Sequence, residues 1–508
     1  MGKYIEEDDN QETLHSFATT ESKENYPYTI FEKREKFLLI LILSAIGFWS
    51  TISSPIYFPA LPTLTSDFHT SVSMMNITVV SYLLFQGLAP TVSSNIADTI
   101  GRRPVLLASL LIYIASCIAL SQTDVYWLLI LLRCIQAAGI APVISISSGV
   151  SADVCTTVNR GAMVGAVTGF QFVGNGIGGL VGAALISGFD TWRSMFIFLA
   201  IGGMVTLLAA IFVLPETSRN IVGNGTVVPK NILNKSALIC MPFFKKKLTN
   251  EVSTITPKNP FDILGPFRIF IEKEIFFTLL PSGMHFAAWT IAQASLSTEL
   301  ESPKYNYSVM HVGLIYLPQG LACLFGSLIV GKMMNWYYTY RRKLYDTQME
   351  NVPIHERPPF NIIATRLTLT IVPTVLMVIG LVTFGWCIQF HRHIISIIIS
   401  SSLISFSSTL LISISTTMLV DLHPTQGSAS SSCLNLMRCW LAALFAGVLD
   451  KMVSSMNLGG TYTLMAGLCL LSDCGLVLVL YWAKQTQETF SSTASTRVQS
   501  AASSFIEK

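Results

Sequence analysis

Long apolar runs dominate the chain, and short polar stretches separate them. A membrane-spanning helix needs about 20 mostly apolar residues. Twelve such runs lie near 37–60, 75–97, 104–121, 126–149, 162–187, 194–214, 275–297, 309–331, 367–390, 394–419, 429–449 and 461–482. Six precede a polar stretch, 215–274, and six follow it. The pattern predicts an all-α polytopic membrane protein with twelve transmembrane helices in two six-helix halves, 37–214 and 275–482. The N-terminal tail, 1–36, and the Ser/Thr-rich C-terminal tail, 483–508, read as disordered, and 215–274 reads as a connecting loop. No secretory leader is expected, because the first apolar run begins only after the charged tail.

Composition sharpens this picture. The 508 residues are 51% hydrophobic and 12% charged, where soluble domains carry about 25% charged residues. The net charge of +3 is scattered, and without a basic stripe nucleic acid is not a partner. Most of the ten cysteines, such as Cys117, Cys323 and Cys469, fall inside apolar runs. None shows CxxC or Cys/His metal spacing, which argues against a metal centre or a disulfide framework.

Lysine and arginine orient the spans. With the N-terminus inside, only Arg193, Lys304, Arg392 and Lys451 fall in outside loops, and Arg133 and Arg438 lie within spans. The remaining basic residues are all inside, so both termini and the central loop are expected in the cytoplasm.

One tempting motif fails on context. "GNGIGG" (Gly174 to Gly179) fits the dinucleotide pattern G-x-G-x-x-G, but no strand precedes it and no acidic residue follows at the right distance. It lies in the middle of span 5. Gly174, Gly178 and Gly182 instead recur at helical spacing, which lets a neighbouring backbone come close. Catalytic signatures such as HExxH or a P-loop are absent from the sequence, so an enzyme is not expected.

Several segments carry a family resemblance. "ADTIGRRPVLL", with Asp98, Gly101, Arg102 and Arg103, resembles the loop between spans 2 and 3 of the major facilitator superfamily. "RCIQAAGIA", with Arg133, Gln136 and Gly139, resembles its span 4 motif. "GNGIGGLVGA" followed by "WRSMF" resembles the span 5 motif of drug:proton antiporters. "LPETSRN", "YLPQG…GSLIVGKMMN" and "LVDLHPT…NLMRC" are similar to segments of the fungal twelve-span branch, and most of all to its quinidine-resistance and dityrosine-transporter group. The likeness covers about 37–482 and implies alternating access, proton coupling and no cofactor beyond the proton gradient. It also implies a plasma-membrane monomer whose partners are a small-molecule substrate, protons and lipid. The chain departs from the pattern at Thr99, where an arginine is usual, and at Gly179, where the span 5 motif has proline. Since that motif is linked to antiport, export and import both stay open at Gly179.

Charges within spans are costly, at least about 2.5–3.5 kcal/mol each at mid-bilayer, so each is a functional candidate. The resemblance gives Arg133 a part in proton coupling, where it would stabilise a titrating carboxylate, since arginine keeps its own proton. A fixed hydrogen-bond partner to backbone is the other reading. Asp473, deep in span 12, is either a proton relay or a packing residue. His285 in span 7 either titrates or stays a neutral hydrogen-bonded histidine. Helical spacing suggests cavity-lining residues: Trp49 and Tyr57 in span 1, Tyr82 and Gln86 in span 2, Gln136 in span 4, and Gln171 and Asn175 in span 5. The second half offers Trp289 and Gln293 in span 7, Tyr316 and Gln319 in span 8, and Asn435 and Arg438 in span 11. Aromatics with a few amides suit an amphipathic or cationic guest.

The expected function is proton-driven export of such compounds, as in multidrug resistance. The alternatives are a facilitator, symporter or exporter for a physiological solute (a polyamine, sugar or dityrosine-like metabolite), and a non-transporting receptor or lipid-organising protein.

Overall fold

The computed structural model describes residues 28–236 and 268–506, apart from 269, 303–304, 306, 351–356, 358–359 and 423–426. Among the described residues, eleven helices are long and apolar enough to cross a membrane. They are α1 (Lys33–Asp67), α2 (Met74–Ile100), α3 (Arg102–Leu120), α4 (Tyr126–Val154), α5 (Met163–Phe189), α6 (Arg193–Val213), α7 (Ile275–Leu300), α8 (Val309–Gln348), α9 (Ile362–Gln389), α10 (Ile394–Leu419) and a last stretch, Ser431–Trp482. That stretch breaks at Asn457, whose φ of 57° and ψ of 175° are not helical. At 52 residues it is also more than twice the length of one crossing. It therefore counts as two helices, α11 (431–456) and α12 (458–482), which makes twelve crossings.

Local chemistry explains the irregular helices. Pro55 and Pro59 lack N–H donors, and α1 tightens there into a 3-10 turn, Pro55–Ala60. That turn lies on the glycine face of α5. A Cβ at Gly178 would stand 2.5 Å from Pro55 Cγ, and one at Gly174 would stand 2.7 Å from the Phe48 carbonyl. Gly182 meets the Ile56 backbone. Gly174, Gly178 and Gly182 thus form the close-approach stripe that their spacing suggests.

Three segments depart from the expected boundaries. α8 runs on to Gln348, because neither Gly nor Pro follows Gly331 within it. The helix after Asn457 continues to Ile506 instead of ending at 482; the sequence from Leu476 onward contains no Gly or Pro to stop it. Within 215–236 the chain is partly ordered by a short helix, Arg219–Val222, and a 3-10 turn, Ile232–Asn234. The rest of the central loop to 267 lies outside the described residues.

The halves meet along two helix pairs, α2 with α11 and α5 with α8. On the first, Asn76 Nδ2 donates to Asp450 Oδ2 (3.3 Å) near one end. Further along, Asn435 Nδ2 donates to the Gln86 carbonyl (2.6 Å). On the second, Gly165 faces Gly331 at one end, Gly176 faces Gly320 midway, and Gly313 faces Leu180 and Ala183 at the other end. Contacts at both ends of the α5–α8 pair, with Ser431 of α11 donating to the Ser145 carbonyl of α4 (3.0 Å), mean that the two halves are closed on both sides.

Candidate functional site

Between the closed halves lies a cavity of about 10 Å³, room for roughly one water. Thr51, Ser54 and Phe58 of α1, Leu83 and Gln86 of α2, and Asn175 of α5 line it from the first half. Phe286, Thr290 and Gln293 of α7 and Arg438 of α11 line it from the second. On α7 the lining positions follow helical spacing, so one face of that helix looks into the cavity. Gln293 Nε2 crosses to the Asn175 carbonyl (3.0 Å). Asn435 Oδ1 accepts from Arg438 Nε (2.8 Å), which orients the one charged lining residue.

Of the residues that helical spacing suggests, Gln86, Asn175, Gln293 and Arg438 line this cavity. The others have different surroundings. Trp49 turns to α6 and donates to Thr206 Oγ1 (2.7 Å). Gln171 ties α5 to the Leu43 carbonyl (3.4 Å) and to Ser147 (3.3 Å) within its own half. Trp289 is fully buried, edge-on to Phe286 with ring centroids 5.9 Å apart. Tyr316 donates to the Gln293 carbonyl (2.7 Å) and packs on Gly179. Gln319 accepts from Ser405 of α10 (3.4 Å). Asn435 acts from behind Arg438. The physical reason is common to all: spacing defines a stripe, but neighbouring helices decide its rotation. Thr51, Ser54, Phe58, Leu83, Phe286 and Thr290 carry no charge that would single them out beforehand.

Arg133 occupies a separate site. It is fully buried, and its guanidinium lies 4.2 Å from the ring centroids of both Tyr57 and Tyr82. One Nη donates to the Ser53 carbonyl (3.2 Å) and to Gln136 Oε1 (2.9 Å). Gln136 passes the link to Cys117 of α3 (3.2 Å). The expected titrating carboxylate is missing: Arg133 makes no ion pair among the described residues. Two aromatic faces and a carbonyl offset its charge instead. Tyr57, Tyr82 and Gln136 thus hold an internal cation and do not line the cavity.

His285 and Asp473, read separately in the sequence, form a pair. His285 Nε2 stands 3.0 Å from Asp473 Oδ2, between α7 and α12, with both side chains buried.

The α2–α3 hinge is a buried charge cluster. Asp98, at the C-terminal end of α2 where the helix dipole disfavours it, is paired with Arg102. Arg102 Nε also reaches Asp153 of α4 (3.2 Å). Arg103 donates to the carbonyls of Leu233, Lys235 and Ile211. Glu216, missed in the sequence beyond its place in "LPETSRN", accepts from the backbone N–H of Arg102 (2.9 Å) and Arg103 (3.2 Å). It also accepts from those of Thr217 and Ser218, both at 2.9 Å. It caps the start of α3. Burial pushes its carboxyl up, and the backbone donors pull it back. Gly101 has φ 125°, and a Cβ there would stand 2.5 Å from Glu216 Oε2, so glycine is required on both grounds. Arg366 of α9 and Asp421, fully buried at 2.9 Å, form the second half's equivalent. Their signal was positional: start of the third helix and end of the fourth in each half, as for Arg102 and Asp153.

The contacts described for Asp98, Arg102 and Arg103 lie within the first half and the start of the central loop, so this cluster stiffens that half and ties the loop to it. Asp98→Asn removes one partner while Arg102 keeps Asp153. The cost therefore stays below the about 3–5 kcal/mol of an orphaned buried charge. We expect turnover to fall by about tenfold with substrate affinity nearly unchanged, read by flux and equilibrium binding on the same preparation.

The pattern of the Major Facilitator Superfamily matches residues 37–446. The "MFS antiporter QDR1" of Candida albicans is 65% identical, over 96% of this chain and 96% of its own length. "Quinidine resistance protein 1" of Saccharomyces cerevisiae is 36% identical, over 90% of this chain and 85% of its own. Among solved structures, the proton:xylose symporter XylE superposes with a TM-score of 0.60 at 13% identity, covering 87% of this chain and 95% of XylE; that likeness concerns the fold. The chain belongs to the major facilitator superfamily, a family of transporters rather than enzymes. Its near relatives are the fungal drug:proton antiporter group, and it is a multi-pass membrane protein.

Proposed function

We propose that the protein is a proton-coupled antiporter of the plasma membrane, with both termini cytoplasmic, that exports small amphipathic or cationic organic compounds. The observation that carries this reading is the cavity lined from both halves and closed at both ends. Such a site reaches one side of the membrane only when one pair of end contacts opens, which is alternating access. The printed names of the relatives supply the antiport and the drug class. A water-sized cavity cannot hold a drug, so the closed form is the substrate-free one, and binding must part the halves.

One feature bears on selectivity. The lining holds Arg438 and, among the described residues, no carboxylate. Acidic amphipaths therefore meet a favourable field and neutral ones no opposing charge, while cations rely on Phe58, Phe286 and the amides. Cells that express the chain should retain less of a fluorescent cation than vector controls, and a protonophore should remove the difference. Arg438→Gln should raise cation efflux relative to a neutral analogue by about threefold or more, as removal of a repulsive charge requires. An unchanged ratio contradicts the selectivity reading, and protonophore-insensitive retention contradicts antiport.

A further inference from the structure

We infer that His285 and Asp473 form one shared proton site and that α7 couples it to the substrate cavity. The inference rests on the antiport reading above and supplies the proton-carrying group that Arg133 lacks. His285 is 0% and Asp473 6% exposed, and Nε2 and Oδ2 stand at 3.0 Å. His285 Nδ1 and Asp473 Oδ1 are both buried and, among the described residues, without a hydrogen-bond partner. An ionised carboxylate and a neutral imidazole would bury a net negative charge here with one acceptor oxygen unsatisfied, which is expensive inside a membrane. One added proton, held on Nε2 or on Oδ2, makes the pair neutral overall whichever atom carries it. The two groups then hold that proton as one shared site.

The surroundings favour that unit. Cys469, one turn earlier on α12, is a thiol within reach of the Asp473 field. From α10, Ser415 bonds Ser282 of α7 (2.5 Å) and brings hydroxyls rather than charge. From α11, the Arg438 guanidinium lies 5.1 Å from the Phe286 ring centroid, next in sequence to His285.

The coupling follows from helix geometry. Successive residues on a helix point about 100° apart. His285 therefore faces α12 while Phe286, Thr290 and Gln293 face the cavity. A substrate that parts the halves against that face moves the same turn of α7, admits water to the pair and lets its proton leave. Release breaks the N–H or O–H bond, leaves the electron pair on that atom and sends the proton to water. Arg438, whose guanidinium lies 5.1 Å from the ring of the next residue, Phe286, is a cation against that same turn of α7. The dry, closed form is then the one that carries the proton back.

The test uses purified full-length protein in detergent, with wild type compared to Asp473→Asn and His285→Gln. In the substrate-free titration from pH 8 to pH 5, wild type should take up about one proton that neither variant takes up. Equal uptake by both variants overturns the inference. In weak buffer at pH 5.5, where the substrate-free site is loaded, quinidine should release most of that proton from wild type, and less than about a tenth of it from either variant. Quinidine binding by the variants should stay within about threefold of wild type, which shows that they are folded. Release undiminished in both variants overturns the pair while antiport stands. A wild type that binds quinidine without releasing a proton overturns antiport and the pair together.

Discussion

Arg133→Ala should reduce transport by more than about a hundredfold while the protein still reaches the membrane. Arg133 holds α4 to α1 through Tyr57 and the Ser53 carbonyl, and to α2 through Tyr82. Desolvated cation–π contacts contribute about 2 kcal/mol or more each, so losing two of them plus two hydrogen bonds corresponds to a factor well above a hundred. Arg133→Lys should fail by at least about tenfold, because an ammonium is a point charge that cannot stack between two rings and also bond to Gln136. Flux normalised to surface expression reads both. Robust efflux by Arg133→Ala would show that the cage is dispensable. The cage is a mechanical tether in this reading, and the proton sits elsewhere.

The second large effect is expected at the α5–α8 contact. Gly176 faces Gly320 backbone to backbone, and no flexible side chain stands between them to yield. An added methyl forces the helices apart. Overpacking of this kind costs about 1–3 kcal/mol, or roughly five- to 150-fold in the population of the closed form. Gly176→Ala should therefore slow turnover by at least about fivefold, with substrate binding retained or tightened, because the form that binds is spared. The control is Gly188→Ala, where nothing stands within 4 Å of the added atom and wild-type flux is expected. Equal flux from Gly176→Ala and wild type would mean that the closed form is not on the transport path.

Much of the fold was written in the apolar runs, because a bilayer leaves a span few options other than a helix of about 20 residues. Helix ends were less legible. The break between α11 and α12 falls on Asn457 itself and not on Gly459 and Gly460 that follow it, and α8 passes its expected end at 331 because nothing in "KMMNWYYTYRRKLYDTQ" stops a helix. The glycine stripe at Gly174, Gly178 and Gly182 was readable from spacing alone, and α1 packs there as spacing demands.

The site was readable only where chemistry stands out. Arg133, His285, Asp473 and Arg438 announce themselves as charges or titratable groups in apolar runs. Their pairing did not, since His285 and Asp473 lie 188 residues apart and only packing joins them. Trp289 illustrates the limit: it shares a sequence stripe with His285 and Gln293, yet the rotation of α7 sends the three to different surroundings. Phe286 and Thr290, which do line the cavity, look like any other residues of span 7.

Flux in proteoliposomes with an imposed pH gradient tests the central claim most directly. With quinidine as the probe and protein-free vesicles as the blank, protein-dependent uptake should rise with the gradient and collapse to the blank when a protonophore is added. Protein-dependent flux that ignores both the gradient and the protonophore would contradict proton-coupled antiport.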